Sequence, residues 1–139
     1  MPTIETEYAG NLRTLALHIA SGNRLVTDAP LDNHGRGEAF SPTDLVCAAL
    51  GSCMLTLMGI KADQHELDIT GTRVAITKEM SAAGPRRIQR ITVAFALPPA
   101  TASFSERERE TLERTARTCP VALSLHPETE QVVTFMWPA

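Results

Sequence analysis

The chain has 139 residues, 43% of them hydrophobic and 21% charged, with a formal net charge of −3. One domain, residues 1–139, is expected at this length, with enough chain to bury a core; the acidic balance and the lack of a basic cluster argue against nucleic acid or a membrane surface as partners. Three cysteines, at positions 47, 53 and 119, are too few and scattered for a secreted disulfide framework, and the first residues, MPTIETEYAG, lack the basic start and apolar run of a signal peptide, so a cytoplasmic location is expected.

Ile4, Thr6 and Tyr8 alternate on one side of a short strand, and Ala9-Gly10-Asn11 predicts a turn. A second strand is expected over 12–19, with Leu15, Leu17 and Ile19 on its apolar face. Arg13 has the same parity and points to that face. Ser21-Gly22-Asn23 marks another turn before a third strand at 24–27, so the chain opens as a β-meander. Residues 28–40 hold Pro30, Asn33, Gly35 and Gly37 and form a loop long enough to be functional.

Residues 41–61, SPTDLVCAALGSCMLTLMGIK, open on a helix-start signal: Ser41 as N-cap, Pro42 at the first helical position, Asp44 three residues after the cap. No charge occurs between Leu45 and Ile60. A helix apolar all round is buried in a core or a membrane, and this run falls short of the ~20 apolar residues of a span. A central core helix, covered on most sides, is expected. Gly51 costs about 1 kcal/mol against Ala inside a helix, which predicts that another element approaches the backbone closely beside Cys53.

Leu67 and Ile69 are odd in parity and Val74 and Ile76 even, with Gly71 between; a bulge at Gly71 would join them in one strand. Gly84-Pro85 marks a turn. Ile91, Val93, Phe95 and Leu97 then alternate in a half-buried strand that Pro98-Pro99 stops. Ser105 with Glu108 predicts a capping box on a second helix, whose thin apolar seam runs through Leu112, Ala116 and Cys119. Pro120 disfavours helical geometry at Cys119 and can itself start a short helix. Val133, Phe135 and Trp137 form a last strand. The order β-β-β-α-β-β-α-(short α)-β, with two helices among antiparallel strands, is of the α+β class.

Cys53 and Cys119 both point inward from helices, so two thiols share one pocket if those helices meet. Cys119 stands where a new helix starts, and free backbone N–H groups favour a thiolate there. Cys53 is mid-helix and needs a cation from elsewhere; Arg13 and Arg36 are the candidates. On spacing alone, the alternative is that both are small core hydrophobes. Cys47 is rotated by about 240° around the helix from Cys53 and reads as packing. No two of the four histidines show metal-ligand spacing. His126 follows Cys119 closely enough for a Cys–His pair, with no orienting third group evident.

FSPTDLVCAALGSCM around Cys53 and TCPVALSL around Cys119 resemble the OsmC-like family, the group that includes the organic hydroperoxide resistance proteins. The likeness runs over nearly the whole chain and is to the general OsmC-like branch. It implies an α+β fold of antiparallel sheets with a buried central helix, and an intertwined homodimer with active sites at the subunit interface. It also implies a thiol-dependent peroxidase that needs no cofactor: no metal, haem or selenium. By that resemblance Cys53 is the peroxidatic cysteine, Cys119 the resolving one, and Arg13 most nearly matches an arginine that stabilises the thiolate. The carboxylate that orients this arginine in the family falls at Thr43, with Asp44 one residue on and directed elsewhere, so turnover is expected to be slow. The Cys53 thiolate would attack the O–O bond of an organic hydroperoxide, and the sulfenic acid would condense with Cys119. A small or protein dithiol would then reduce the disulfide. Leu50, Met54 and Leu57, with Arg36, are expected to line the substrate pocket. The alternative is a non-catalytic dimer that binds an apolar ligand, or senses oxidation, in the same pocket.

Overall fold

In the computed structural model, which describes all residues from Met1 to Ala139, the chain divides into two units, Met1–Val46 and Cys47–Ala139. In the first, alternation and turn chemistry build an antiparallel meander of β1 (Ile4–Gly10), β2 (Arg13–His18) and β3 (Arg24–Asp28), in that order. Its first turn lies one residue later than expected. Gly10, Asn11 and Leu12 all have positive φ, so Leu12 belongs to the turn and β2 begins at Arg13.

The register places Leu15 opposite Val26 on one side and Glu7 on the other, and Leu17 between Arg24 and Glu5. The face expected to be apolar is therefore mixed and stays open: Leu15 is 37% and Val26 42% exposed. Burial in this unit falls instead at the end of β3 and the start of the helix, where Thr27, Asp28 and Ser41 are covered. The loop over 28–40 folds back on itself. The Gly35 N–H donates to Pro30 O at 3.0 Å and the Gly37 N–H to Ala29 O at 3.2 Å. A Cβ on Gly35 would collide with the Ala29 carbonyl, so the fold-back requires glycine.

Helix α1 (Pro42–Gln64) starts as the sequence predicts. The Asp44 N–H donates to Ser41 Oγ at 3.0 Å and the Ser41 N–H to Asp44 Oδ2 at 3.0 Å, a reciprocal cap that satisfies two free donors. By length and composition the helix is apolar enough to cross a membrane, a test that core helices also pass. Leu50, Met54, Met58 and Ala62 form its buried stripe. Cover is found on most sides of the helix but not on all: Ala49, Ser52, Thr56 and Ile60 share one exposed side. An uncharged face tolerates burial but does not by itself supply a neighbour.

The second unit holds β4 (Arg73–Met80), β5 (Ile88–Ala96), α2 (Glu106–Arg117), α3 (Pro120–Ser124) and β6 (Glu130–Met136). The sheet order is β4-β5-β6. β4 and β5 are antiparallel as expected, whereas β6 runs parallel to β5, because α2 and α3 form a crossover that returns the chain to the same end of the sheet. The α+β class stands, with one ladder reversed. Ser105 and Glu108 form the expected capping box on α2. Gly71 is a turn residue with φ of 96° and not a bulge. The Thr72 N–H donates to Ile69 O and the Thr70 N–H to Asp68 Oδ1, so the chain turns before β4 begins. Leu67 and Ile69 pack on the core from outside the sheet. The core gathers Leu50, Met54 and Met58 of α1 with Ile91, Val93 and Phe95 of β5. The close approach predicted at Gly51 comes from β4, where the Ile76 side chain occupies the place a Cβ would take.

Candidate functional site

Cys119 is placed by its neighbour. Pro120 holds it out of helical geometry, at φ −69° and ψ 153°, as the N-cap of α3. Its Sγ accepts the Ala122 N–H at 3.4 Å, the bond that Ser or Asp makes at an ordinary N-cap. The side chain is fully buried. Cys53 approaches it from α1, near enough for its thiol to raise the Cys119 pKa, and both are free thiols. Burial pushes the Cys119 thiol above its ordinary pKa. The Ala122 N–H opposes that shift, the adjacent Cys53 adds to it, and the Val121 N–H opposes it again. Two thiols in such proximity can condense once either has been oxidised.

Cys53 and Leu57 are half-buried on α1, as are Val121 and Leu125 near α3, and all four pack against the core. Leu50 and Met54, expected to line a pocket, have no exposed surface. They lie on the stripe of α1 that faces the core, and offer a ligand nothing to touch. Cys47 is core packing, 4% exposed. His126 is exposed, and its Nδ1 accepts the Glu128 N–H at 3.0 Å; it serves a turn. A cleft of about 260 Å³ lies elsewhere in this unit, lined by residues that include His65, Leu67, Arg107 and Leu112 and neither thiol.

Within the first unit, Arg13 sits beside two carboxylates. Its Nη2 is 3.5 Å from Asp28 Oδ2 and pairs with Glu38 Oε1. Asp28 is fully buried, and its Oδ2 also accepts the Glu38 N–H at 3.0 Å. The guanidinium therefore has acidic partners, drawn from a strand end and a loop where the sequence pointed to Thr43. Thr43 Oγ1 lies 3.2 Å from Ser41 Oγ, and Asp44 is engaged with the Ser41 cap. Arg36 is exposed in the loop. Sequence reasoning missed Asp28 and Glu38. Asp28 carried one usable signal, since it faces Arg13 across the β2–β3 ladder once the meander register is drawn.

The model of the OsmC-like protein family matches residues 35–133. A crystal structure from Psychrobacter arcticus 273-4, described as an osmotic stress induced and detoxification response protein, is 46% identical over 98% of this chain and 96% of that chain, with a TM-score of 0.91. Two more distant structures share the fold. The organic hydroperoxide resistance protein OsmC from Legionella pneumophila is 13% identical over 96% of this chain and 95% of its own, with a TM-score of 0.74. An organic hydroperoxide resistance protein from Elizabethkingia anophelis, with thiocyanate bound, is 13% identical over 99% and 98%, with a TM-score of 0.74. Comparison with curated proteins gives no match.

Proposed function

The chain belongs to the OsmC-like family, and we propose that it is a thiol-dependent peroxidase that reduces organic hydroperoxides through Cys53 and Cys119. The observation that carries this reading is the proximity of two free thiols brought together by α1 and the Cys-Pro start of α3. The names of the Legionella and Elizabethkingia proteins support the substrate class. Cys53 is half-buried and Cys119 fully buried, so Cys53 is the sulfur a hydroperoxide reaches.

The Cys53 thiolate attacks one peroxide oxygen, the O–O bond breaks, and the leaving alkoxide takes up a proton to become an alcohol. Cys53 is then a sulfenic acid. The Cys119 sulfur attacks it, giving up its proton as hydroxide leaves, so that one water forms with the disulfide. An external dithiol, small or protein, returns the pair to thiols by exchange. Arg13 is assigned as the cation that favours the Cys53 thiolate on the family resemblance, and its two carboxylates limit the poses its guanidinium can take. The working form is a homodimer.

Intact mass after one equivalent of cumene hydroperoxide tests the reading. The expected product has lost two hydrogens and carries a Cys53–Cys119 disulfide. In Cys119→Ser, a dimedone-type reagent is expected to trap sulfenic acid at Cys53; an adduct at Cys47 would identify a different nucleophile. Repeated turnover with excess dithiol separates an enzyme from an oxidation sensor.

A further inference from the structure

α3 has five residues, too few to hold themselves, because forming a first turn fixes more dihedrals than its bonds repay. At its start the Leu123 N–H donates to Cys119 O at 3.1 Å, and the Ser124 hydroxyl donates to Pro120 O at 2.7 Å. The last carbonyls of any helix have no partner within it. One of them, on the buried residue Ala122, is met from outside by Gln131, whose Nε2 donates to Ala122 O at 3.0 Å. Gln131 lies in β6, in register with Ile91 of β5, and so belongs to the sheet. Ala122 is also the residue whose N–H holds Cys119 Sγ. The chain of contact runs from the sheet through Gln131 and Ala122 to the sulfur.

From this we infer that Gln131 is a positioning residue for the resolving step: it ties α3 to β6 and keeps Cys119 Sγ beside Cys53. The inference rests on the peroxidase reading. Cys119 must displace hydroxide from the Cys53 sulfenic acid before a second hydroperoxide arrives. If it is slow, that hydroperoxide oxidises the sulfenic acid to sulfinic acid and leaves as alcohol. Loss of the Gln131 bond therefore changes the partition between disulfide and sulfinate and leaves the first oxidation of Cys53 alone.

The test compares wild type, Gln131→Met, Gln131→Lys and Thr129→Val under a series of cumene hydroperoxide concentrations, with sulfenate, disulfide and sulfinate read by mass spectrometry. Gln131→Met keeps the volume without a donor, and Gln131→Lys restores one. Thr129→Val removes the bond from Thr129 Oγ1 to Ile88 O at 3.0 Å and controls for general loosening of the same segment. In Gln131→Met, disulfide closure is expected to slow about fivefold, the rate equivalent of one neutral hydrogen bond. Cys53 oxidation should keep its rate, sulfinate should rise, and Gln131→Lys should recover closure. Should the Met variant not fold, Gln131→Asn, whose amide is one methylene short, is read the same way. Closure at the wild-type rate, or equal slowing in Thr129→Val, overturns the positioning role. A wild-type protein that forms no Cys53–Cys119 disulfide overturns the peroxidase reading instead.

Discussion

Gly51 of α1 is covered by Ile76 of β4: a Cβ on Gly51 would overlap Ile76 Cδ1 and meet its Cγ1 at 3.4 Å. Helix and strand meet closely here, with the far end of the Ile76 side chain filling the space that glycine leaves. Gly51→Ala is expected to lower stability by about 1 kcal/mol, since overpacking costs about 1–3 kcal/mol and helix propensity returns about 1 kcal/mol. In Ile76→Val the offending methyl is gone, so the same Gly51→Ala change should be neutral or stabilising. Urea denaturation of the four proteins measures the coupling; strict additivity would contradict the packing.

Arg13 and Asp28 form a pair that is buried on one side only. Arg13→Ala would leave the fully buried Asp28 carboxylate without its cation. A destabilisation of about 2–3 kcal/mol is expected, below the range for a wholly buried pair because the Arg13 side chain is 34% exposed. Glu38 is 54% exposed in its side chain, and Glu38→Ala should cost under about 1 kcal/mol. In hydroperoxide reduction, Arg13→Ala is expected to be slower by about tenfold or more, equivalent to at least ~1.4 kcal/mol in the transition state. Thr43→Glu is expected to change the rate less than about twofold, because the guanidinium already has carboxylate partners. Second-order rate constants at saturating dithiol check both; a large gain from Thr43→Glu would mean that Asp28 and Glu38 do not orient the arginine for this reaction.

The raised pKa of the Cys119 thiol has a sign that alkylation and denaturation both read. Burial, its first cause, disfavours the thiolate, so iodoacetamide should modify Cys119 in the reduced folded protein only at a pH above that of an ordinary thiol. The unfolded chain loses this proton first as pH rises. Stability from this group is therefore complete below the unfolded thiol pKa of about 8.5 and falls as pH climbs from there through the higher folded value. Cys53→Ser removes the second thiol, whose presence adds to the rise. It should bring the Cys119 profile down part of the way, leaving the larger effect of burial. A Cys119 that alkylates like a free thiol would show that it is not held in the buried position.

The first sheet and one side of α1 leave apolar surface uncovered. Ile4 is 56%, Tyr8 65%, Leu25 40% and Ile60 50% exposed. A second copy of the chain is expected to cover part of it, and light scattering at micromolar concentration should give about twice 15.1 kDa. Ile60→Glu, which puts a charge on the exposed side of α1, is expected to raise the dimer dissociation constant about tenfold or more, or ~1.4 kcal/mol. A stable monomer at that concentration would count against a shared-interface site.

Much of this protein was legible in its sequence because the signals are local. Ser41 with Asp44 and Ser105 with Glu108 cap their helices over three residues, Pro120 sets Cys119 outside the helix that precedes it, and the alternation of Ile91, Val93, Phe95 and Leu97 marks a strand buried on one face. Each rests on steric or hydrogen-bond rules that act within a turn or two. The tertiary structure alone decided what depends on partners far apart in the chain. It made β6 parallel to β5, left one side of α1 open where an uncharged run suggested cover, and put Leu50 and Met54 in the core while Cys53 stayed half-buried. It also set Asp28 against Arg13 and Gln131 against Ala122. Register and packing choose such pairs: a residue's own pattern says which side it faces, and only the fold says what stands there.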